Sequence, residues 1–264
     1  VLSNPEIDDS VGFVMAYRGW SIGSIAAVLA FMAGCASPPQ GPKETLQGSL
    51  IGATALNLRL PAEARARADF NMKGYTLIGA AIVASAVATM NSQSKELDEL
   101  VAAYVKAHPQ QPTLDAAFNT ELRAALQARG LKTHDVLATR GNEEKLPWRY
   151  QLGPLGAPGA PVLVVDALNA RFLAPSSTDP YVPGASAIVT LIEGEAKTRQ
   201  TTLLVARPAT PGGENPSFVD FAEIRKNMDR TYPVMLASAR HLAQTFAKSL
   251  FDTAPAPAAS AAAK

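Results

Sequence analysis

The sequence predicts an α+β (or α/β) domain: a single sheet of about four to five strands, helices packed on one or two of its faces, and a C-terminal helix. Three observations predict it. Apolar runs at 162–173, 187–193 and 201–206 read as successive strands. Helical periodicity fills 95–106 and 113–129 ahead of them, and a last apolar stripe at helical spacing occupies 234–250. A chain of 264 residues, 47% hydrophobic and 18% charged, can bury a sizeable core, and this composition excludes wholesale disorder. One cysteine excludes a disulfide-stapled scaffold. The 24 Lys plus Arg against 23 Asp plus Glu give a net charge of +1, and no nucleic-acid partner is expected from it.

The single domain is expected over residues 48–252. Gly48 to Leu60 opens it, with Leu56, Leu58 and Leu60 alternating with Asn57 and Arg59 as in a half-buried strand. Arg65-Ala66-Arg67 reads as a solvated face or loop. From Gly74 to Ser94 no residue is charged, but the continuous apolar part, Leu77 to Met90, has the length of a core helix rather than of a membrane span. Gly79, Ala80, Ala84 and Ala88 would let this helix sit close to a neighbour, so it reads as buried or partner-facing. A membrane-dipping segment is the alternative. Lys95 to Lys106 continues the helix with Leu97, Leu100, Val101 and Tyr104 on one face.

Thr113 to Arg129 carries the clearest helix signals: Thr113 as N-cap, Asp115 in the first turn, Gly130 as the stop, and a stripe of Leu114, Phe118, Leu122, Ala125 and Leu126. Leu131 to Leu137 follows as a strand. Gly141 to Ala160 reads as a loop holding Trp148 and Tyr150. Trp148 is expected to cap the core, and contact with a ligand or partner is the other reading. Glu193 to Lys197 fits a hairpin turn between the last two strands, and Pro175 to Gly184 a turn-rich excursion before them. Ser217 starts a helix with a box-like Asp220, and Pro233 is expected to kink or break it. The tail from Thr253 (253–264) has the composition of a disordered segment.

The candidate chemistry is sparse. His108, His134 and His241 have no second ligand at metal spacing. Gly184-Ala185-Ser186-Ala187-Ile188 lacks the closing glycine of a nucleophile elbow, so Ser186 reads as strand entry. Asp166 interrupts an apolar strand, and period two would set it beside Val164 and Leu168 on a wet face. No catalytic residue, metal ligand or cofactor site is assigned from these residues.

The N-terminal region carries the most specific signal. Met15 is a plausible start, which makes 1–14 a non-native upstream extension, since Glu6, Asp8 and Asp9 have the wrong charge for a leader. Residues 15–34 then have the layout of a signal peptide: Arg18, an uncharged run from Gly19 to Ala33, and small residues. Met32-Ala33-Gly34-Cys35 resembles the lipobox of bacterial lipoproteins, with Met32 where Leu is commonest. The resemblance implies that signal peptidase recognises Met32, Ala33 and Gly34, and that Cys35 receives a diacylglyceryl group and an N-acyl chain, with no other cofactor. Residues 35–47 would be the lipidated cysteine and a Pro-rich tether. An uncleaved N-terminal anchor is the alternative. Ala36 in place of the Asp that retains enterobacterial lipoproteins implies the cell outer membrane, periplasmic face, with membrane lipid as partner through Cys35.

The order of elements is similar to that of periplasmic lipoproteins of the curli-secretion and penicillin-binding-protein-activator type. It is also similar to Gram-negative lipoproteins with a segment like Ala125-Leu126-Gln127-Ala128-Arg129-Gly130. That likeness implies a class rather than an activity: a non-enzymatic binding or assembly component of the cell envelope with a protein partner. A secreted hydrolase with dispersed catalytic residues and an oligomeric secretion or transport component are the alternatives.

Overall fold

A computed structural model of the chain describes residues 46–70, 80–143, 148–174, 179–194, 197–206 and 216–252. The expected leader, the lipobox with Cys35, most of the tether and the C-terminal tail lie outside the described residues. The elements run β1 (Ala55–Arg59), β2 (Arg65–Phe70), α1 (Ala80–Ala107), α2 (Leu114–Gln127), β3 (Lys132–Asp135), β4 (Ala138–Arg140), β5 (Tyr150–Leu152), β6 (Val162–Ala174), β7 (Val182–Glu193), β8 (Lys197–Ala206), α3 (Phe221–Lys226) and α4 (Met228–Phe251).

The fold is α+β. Its main sheet has six strands in the order β3-β1-β6-β7-β8, with β2 also on β6, and β4 and β5 form a separate two-stranded sheet. The sheet is therefore larger than the expected four to five strands. The uncounted strand is β2, where Arg65-Ala66-Arg67 forms a parallel pair with β6 instead of a loop. Ala66 and Ala68 point inward while Arg67 and Asp69 face outward and pair with each other, so charged residues on the wet face hid the alternation. Tyr150 to Leu152 likewise forms a strand inside the expected loop, and β7 begins at Val182, within the expected turn-rich excursion.

Helices cover one face of the sheet. Leu56, Leu58, Leu163, Val165, Val189 and Leu191 meet Phe118, Leu122 and Leu126 of α2 and Leu242, Ala243, Phe246 and Leu250 of α4. Farther along β6, Ala170 and Phe172 join Ala66 and Ala68 against Leu97 of α1, Ile224 of α3, and Tyr232 and Met235 of α4. Each fully buried large side chain contributes roughly 1.5–3 kcal/mol. On the opposite face β4 and β5 cover one end, where Val136, Val162 and Val164 pack with Tyr150, Leu152, Leu155 and Ile192.

β6 pairs along a single edge with two strands. β1 takes Val162 to Val164 and β2 takes Asn169 to Ala174. Between them the register of β6 shifts, at Asp166/Asn169. Ala167 sits there at φ 48°, a left-handed conformation for a residue with a Cβ. Its N–H donates to Asp166 Oδ1 (2.8 Å), and its carbonyl accepts from Asn169 Nδ2 (2.6 Å). Arg59, leaving β1, donates from Nη1 to the Val165 carbonyl (3.0 Å) and lies 3.4 Å from Asp166 Oδ1. Leu168 is therefore turned to the helical face, not beside Val164 and Asp166 as period two predicts.

The outer edge of β2 is closed by side chains of α1. Asp98 Oδ1 accepts from the Ala66 N–H (2.8 Å), and Ser94 Oγ accepts from the Ala68 N–H (3.2 Å). This satisfies donors that an open edge would leave for another strand. Thr113 caps α2, its side chain accepting from the Ala116 N–H, and Gly130 follows in the left-handed region at φ 78°. Asp220, rather than Ser217, caps α3, accepting from the Glu223 N–H. The helix break falls at Asn227 and not at Pro233, which sits inside α4 in its second turn. There the missing N–H deprives only the Asp229 carbonyl of a donor. At the far end of α4 the N–H groups of Gly48 and Leu50 donate to the carbonyls of Ser249 and Leu250 (both 2.9 Å). Leu46 and Leu50 are buried beside them.

The shift at Ala167 gives a stability test. Ala167→Gly removes the Cβ clash of a left-handed residue, about 1–2 kcal/mol, against about 0.5–1 kcal/mol of added chain entropy. Denaturant unfolding is expected to show a net gain of about 0.5–1 kcal/mol, whereas Ala167→Val, β-branched at the same φ, is expected to lose at least about 1 kcal/mol.

Candidate functional site

The candidate site is a cleft of about 850 Å³ on the sheet face opposite the helices. Its floor is one cross-strand row, Val162 of β6, Ile192 of β7 and Thr198 of β8. Trp148, Tyr150 and Leu152 form one wall, and Leu155, Gly159 and Ala160 the other. Arg149 and Gly194 complete the lining.

Each wall is tied to the sheet by a primary amide. The Trp148 N–H donates to Gln200 Oε1 (3.0 Å), and Gln200 Nε2 donates in turn to Thr190 Oγ1 (2.5 Å), its cross-strand partner on β7. Opposite, Asn57 of β1 is fully buried. Its Nδ2 donates to the carbonyls of Ala157 (2.8 Å) and Ala160 (3.3 Å), and its Oδ1 accepts from the Ala157 N–H (3.0 Å). The same loop runs so close over β3 that a Cβ on Gly156 would lie 2.8 Å from that of His134.

Tyr150 packs on the small core beneath β4 and β5, whereas Trp148 stands outside it, half-buried in the cleft wall. The expectation that Trp148 caps the core is thus replaced by a wall position. The Arg140 guanidinium lies over the Trp148 ring, 4.3 Å from its centroid. Burial, then the Asp166 carboxylate, pushes the Tyr150 hydroxyl above the usual tyrosine value, so it stays protonated at neutral pH. Among the described residues the buried Trp148 Nε1–H has no hydrogen-bond partner, whereas the Tyr150 hydroxyl has Thr190 beside it, which partly offsets the upward shift.

Among the described residues, the side chains lining the cleft include no His, Cys, Asp or Glu. Apolar and aromatic surface with a hydroxyl and a guanidinium suits binding; it holds no nucleophile with an adjacent base. The histidines stand on separate elements. His108 follows α1 and stacks on Tyr104 at 4.2 Å, His134 lies in β3, and His241 in α4. Among the described residues no three His, Cys, Asp or Glu side chains gather as a metal site. Ser186 is buried in β7 opposite Asn169, away from solvent. Asp166 is ion-paired with Arg59 at the register shift.

A smaller crevice of about 440 Å³ lies at the carboxyl ends of β1 and β3, lined by Arg59, Asn119, Arg123 and Asp135 among others. Its charges are matched internally, Arg123 on Asp135 and Arg59 on Asp166. A third surface is set by α1. The stretch from Ala80 to Ser94 carries no charge, yet Ala84, Val87, Ala88 and Asn91 are exposed on its surface and Ala86 is the buried residue of that part. From Ala84 to Ser92 the Ala-rich helix is therefore exposed over most of its surface rather than enclosed in the core. No helix among the described residues is long and apolar enough to cross a membrane.

Sequence reasoning missed Gln200 and read Asn57 only as the wet face of a strand. The available signal was a single amide in each of two strands, Asn57 in Ala55–Arg59 and Gln200 in Lys197–Ala206. No protein-family model and no curated protein matches the chain.

Gln200→Ala is expected to release the Trp148 wall at a cost of about 1–2 kcal/mol in stability. The chain has two tryptophans, so in a Trp20→Phe background emission reports Trp148 alone. A red shift and stronger acrylamide quenching are the expected outcome; an unchanged spectrum would show the wall held by something other than this amide.

Proposed function

We propose that this chain is a bacterial lipoprotein, anchored through Cys35 in the outer membrane with its body in the periplasm. There it serves as a non-enzymatic binding or assembly component of the cell envelope. The lipobox-like Met32-Ala33-Gly34-Cys35 and the following Ser37-Pro38-Pro39-Gln40-Gly41-Pro42 support the anchor. The observation that carries the binding reading is the cleft, whose walls and floor are recognition surfaces without an acid–base or nucleophilic pair.

The exposed, uncharged first half of α1 favours assembly as the form that binding takes. Exposed helix faces are ordinarily charged, and small residues at 84 and 88 beside Val87 offer a flat face for a second helix. A protein partner or a second copy of the chain is the natural cover for such a face.

Two measurements test these readings. Intact mass of the membrane-extracted protein is expected to give a chain beginning at Cys35 with the added mass of about three acyl chains, lost in Cys35→Ser. An unmodified chain, or one cut elsewhere, would overturn the anchor. In light scattering the protein is expected to self-associate at micromolar concentration, and Val87→Glu to reduce it to a monomer with unchanged circular dichroism. A protein monomeric at every concentration would remove self-assembly.

A further inference from the structure

We infer that the cleft between β5 and the β7–β8 hairpin takes a small amphiphile, an acyl or similarly apolar body carrying an anionic head. The inference rests on the reading of the cleft as a binding site and names its ligand class. Apolar contact comes from Val162, Ile192, Leu152 and Leu155, and from the Trp148 ring, around a volume in the range of small-molecule sites. An acyl chain laid on the Val162–Ile192–Thr198 row would gain apolar transfer free energy with every methylene it buries.

The sign of the head follows from the charges at the mouth. Arg149 lines the cleft, is exposed, and makes no ion pair among the described residues. Arg140 is also unpaired by any carboxylate among the described residues and rests on Trp148. Glu193, next to the lining residue Gly194, is shared by Lys197 (3.7 Å) and Arg199 (2.8 Å), so its charge is more than compensated. Glu143, near the end of β4, is the other carboxylate at this end of the hairpin among the described residues. Among the described residues the excess is cationic, and it borders an apolar cavity in which charges are weakly screened. The aromatic wall would by itself suit a quaternary ammonium, but Arg140 already occupies a face of the Trp148 ring and would repel one. The internally neutral crevice beside Arg123 has no such bias.

The test is a titration of the full chain carrying Trp20→Phe and Cys35→Ser, followed by Trp148 emission. The probes are laurate, dodecyl phosphate, dodecanol and dodecyltrimethylammonium, each below its micellar concentration. Both anions are expected to give saturable changes. Affinity for laurate should exceed that for dodecyltrimethylammonium at least about tenfold and weaken with added salt, since the head contacts are at the rim. Arg149→Glu should reverse that preference, while Thr198→Phe, which fills the floor without adding a second tryptophan, should abolish binding of every probe in a protein of unchanged circular dichroism. A carboxylate preferred over the phosphate, or the reverse, supports the inference and selects the source of the head. Equal affinity for anionic and cationic probes would overturn the anionic head and leave the cleft as a binding site. No response to any probe, or binding that survives Thr198→Phe, would overturn the cleft reading itself.

Discussion

The structure depends on the register shift at Ala167. β6 is the central strand, and its one edge must accept β1 and β2, which are separated in the chain by Leu60 to Ala64. Pro61 cannot donate to a ladder, so continuous pairing along that edge is closed to this sequence. The shift absorbs the interruption. It also corrects the phase: without it, strict alternation from Leu163 and Val165 would turn Asn169 and Arg171 toward the helices. With it, Leu168, Ala170 and Phe172 take that face. The strained backbone at Ala167 is held by Asp166, Asn169 and Arg59, the last also satisfying the Val165 carbonyl that the gap leaves exposed. One extra residue in one strand lets a single helical layer cover two sheet halves.

The opposite face follows from the same economy. The β4–β5 hairpin is too small to hold its position through apolar burial alone, since its core is built on Val136, Val162 and Val164. Amides supply the rest. Asn57 satisfies three groups of the 157–160 backbone from a fully buried position, and Gln200 fixes Trp148 from the edge strand. Side-chain to backbone bonds of this kind are worth little each when made but are costly to break in a buried site. They set the separation of the two cleft walls with more directional precision than leucine contacts would.

Much of this fold is legible in the sequence. The Thr113 cap, the Gly130 stop, the stripe from Leu114 to Leu126 and the α4 face through Leu250 each combine a local signal with a matching burial pattern. What escaped reading had the opposite character. β2 shows Arg, Ala, Arg, Ala, Asp, whose alternation is carried by alanines too small to register as apolar. The shift at Ala167 is tertiary, because nothing local in Asp166-Ala167-Leu168 announces that two strands will meet there. The cleft is assembled from β5, the 153–160 loop and the ends of β6, β7 and β8, so no contiguous motif spells it. Trp148 and Tyr150 were visible, but Gln200, which holds the Trp148 backbone, lies about fifty residues away on another strand, and Asn57, which holds the opposite wall at Ala157, about a hundred from it.

The junction of residues 46–50 with the end of α4 has a mechanical meaning. Two backbone hydrogen bonds and the buried Leu46 and Leu50 fasten the start of the domain to the last turn of its longest-buried helix. Tension arriving along the preceding chain is therefore delivered to the carbonyl end of α4 rather than to the sheet. The sheet would be shielded from load until that fastening peels, so force on the leading segment would be met first by a sacrificial clasp, with the cleft on the far face still intact.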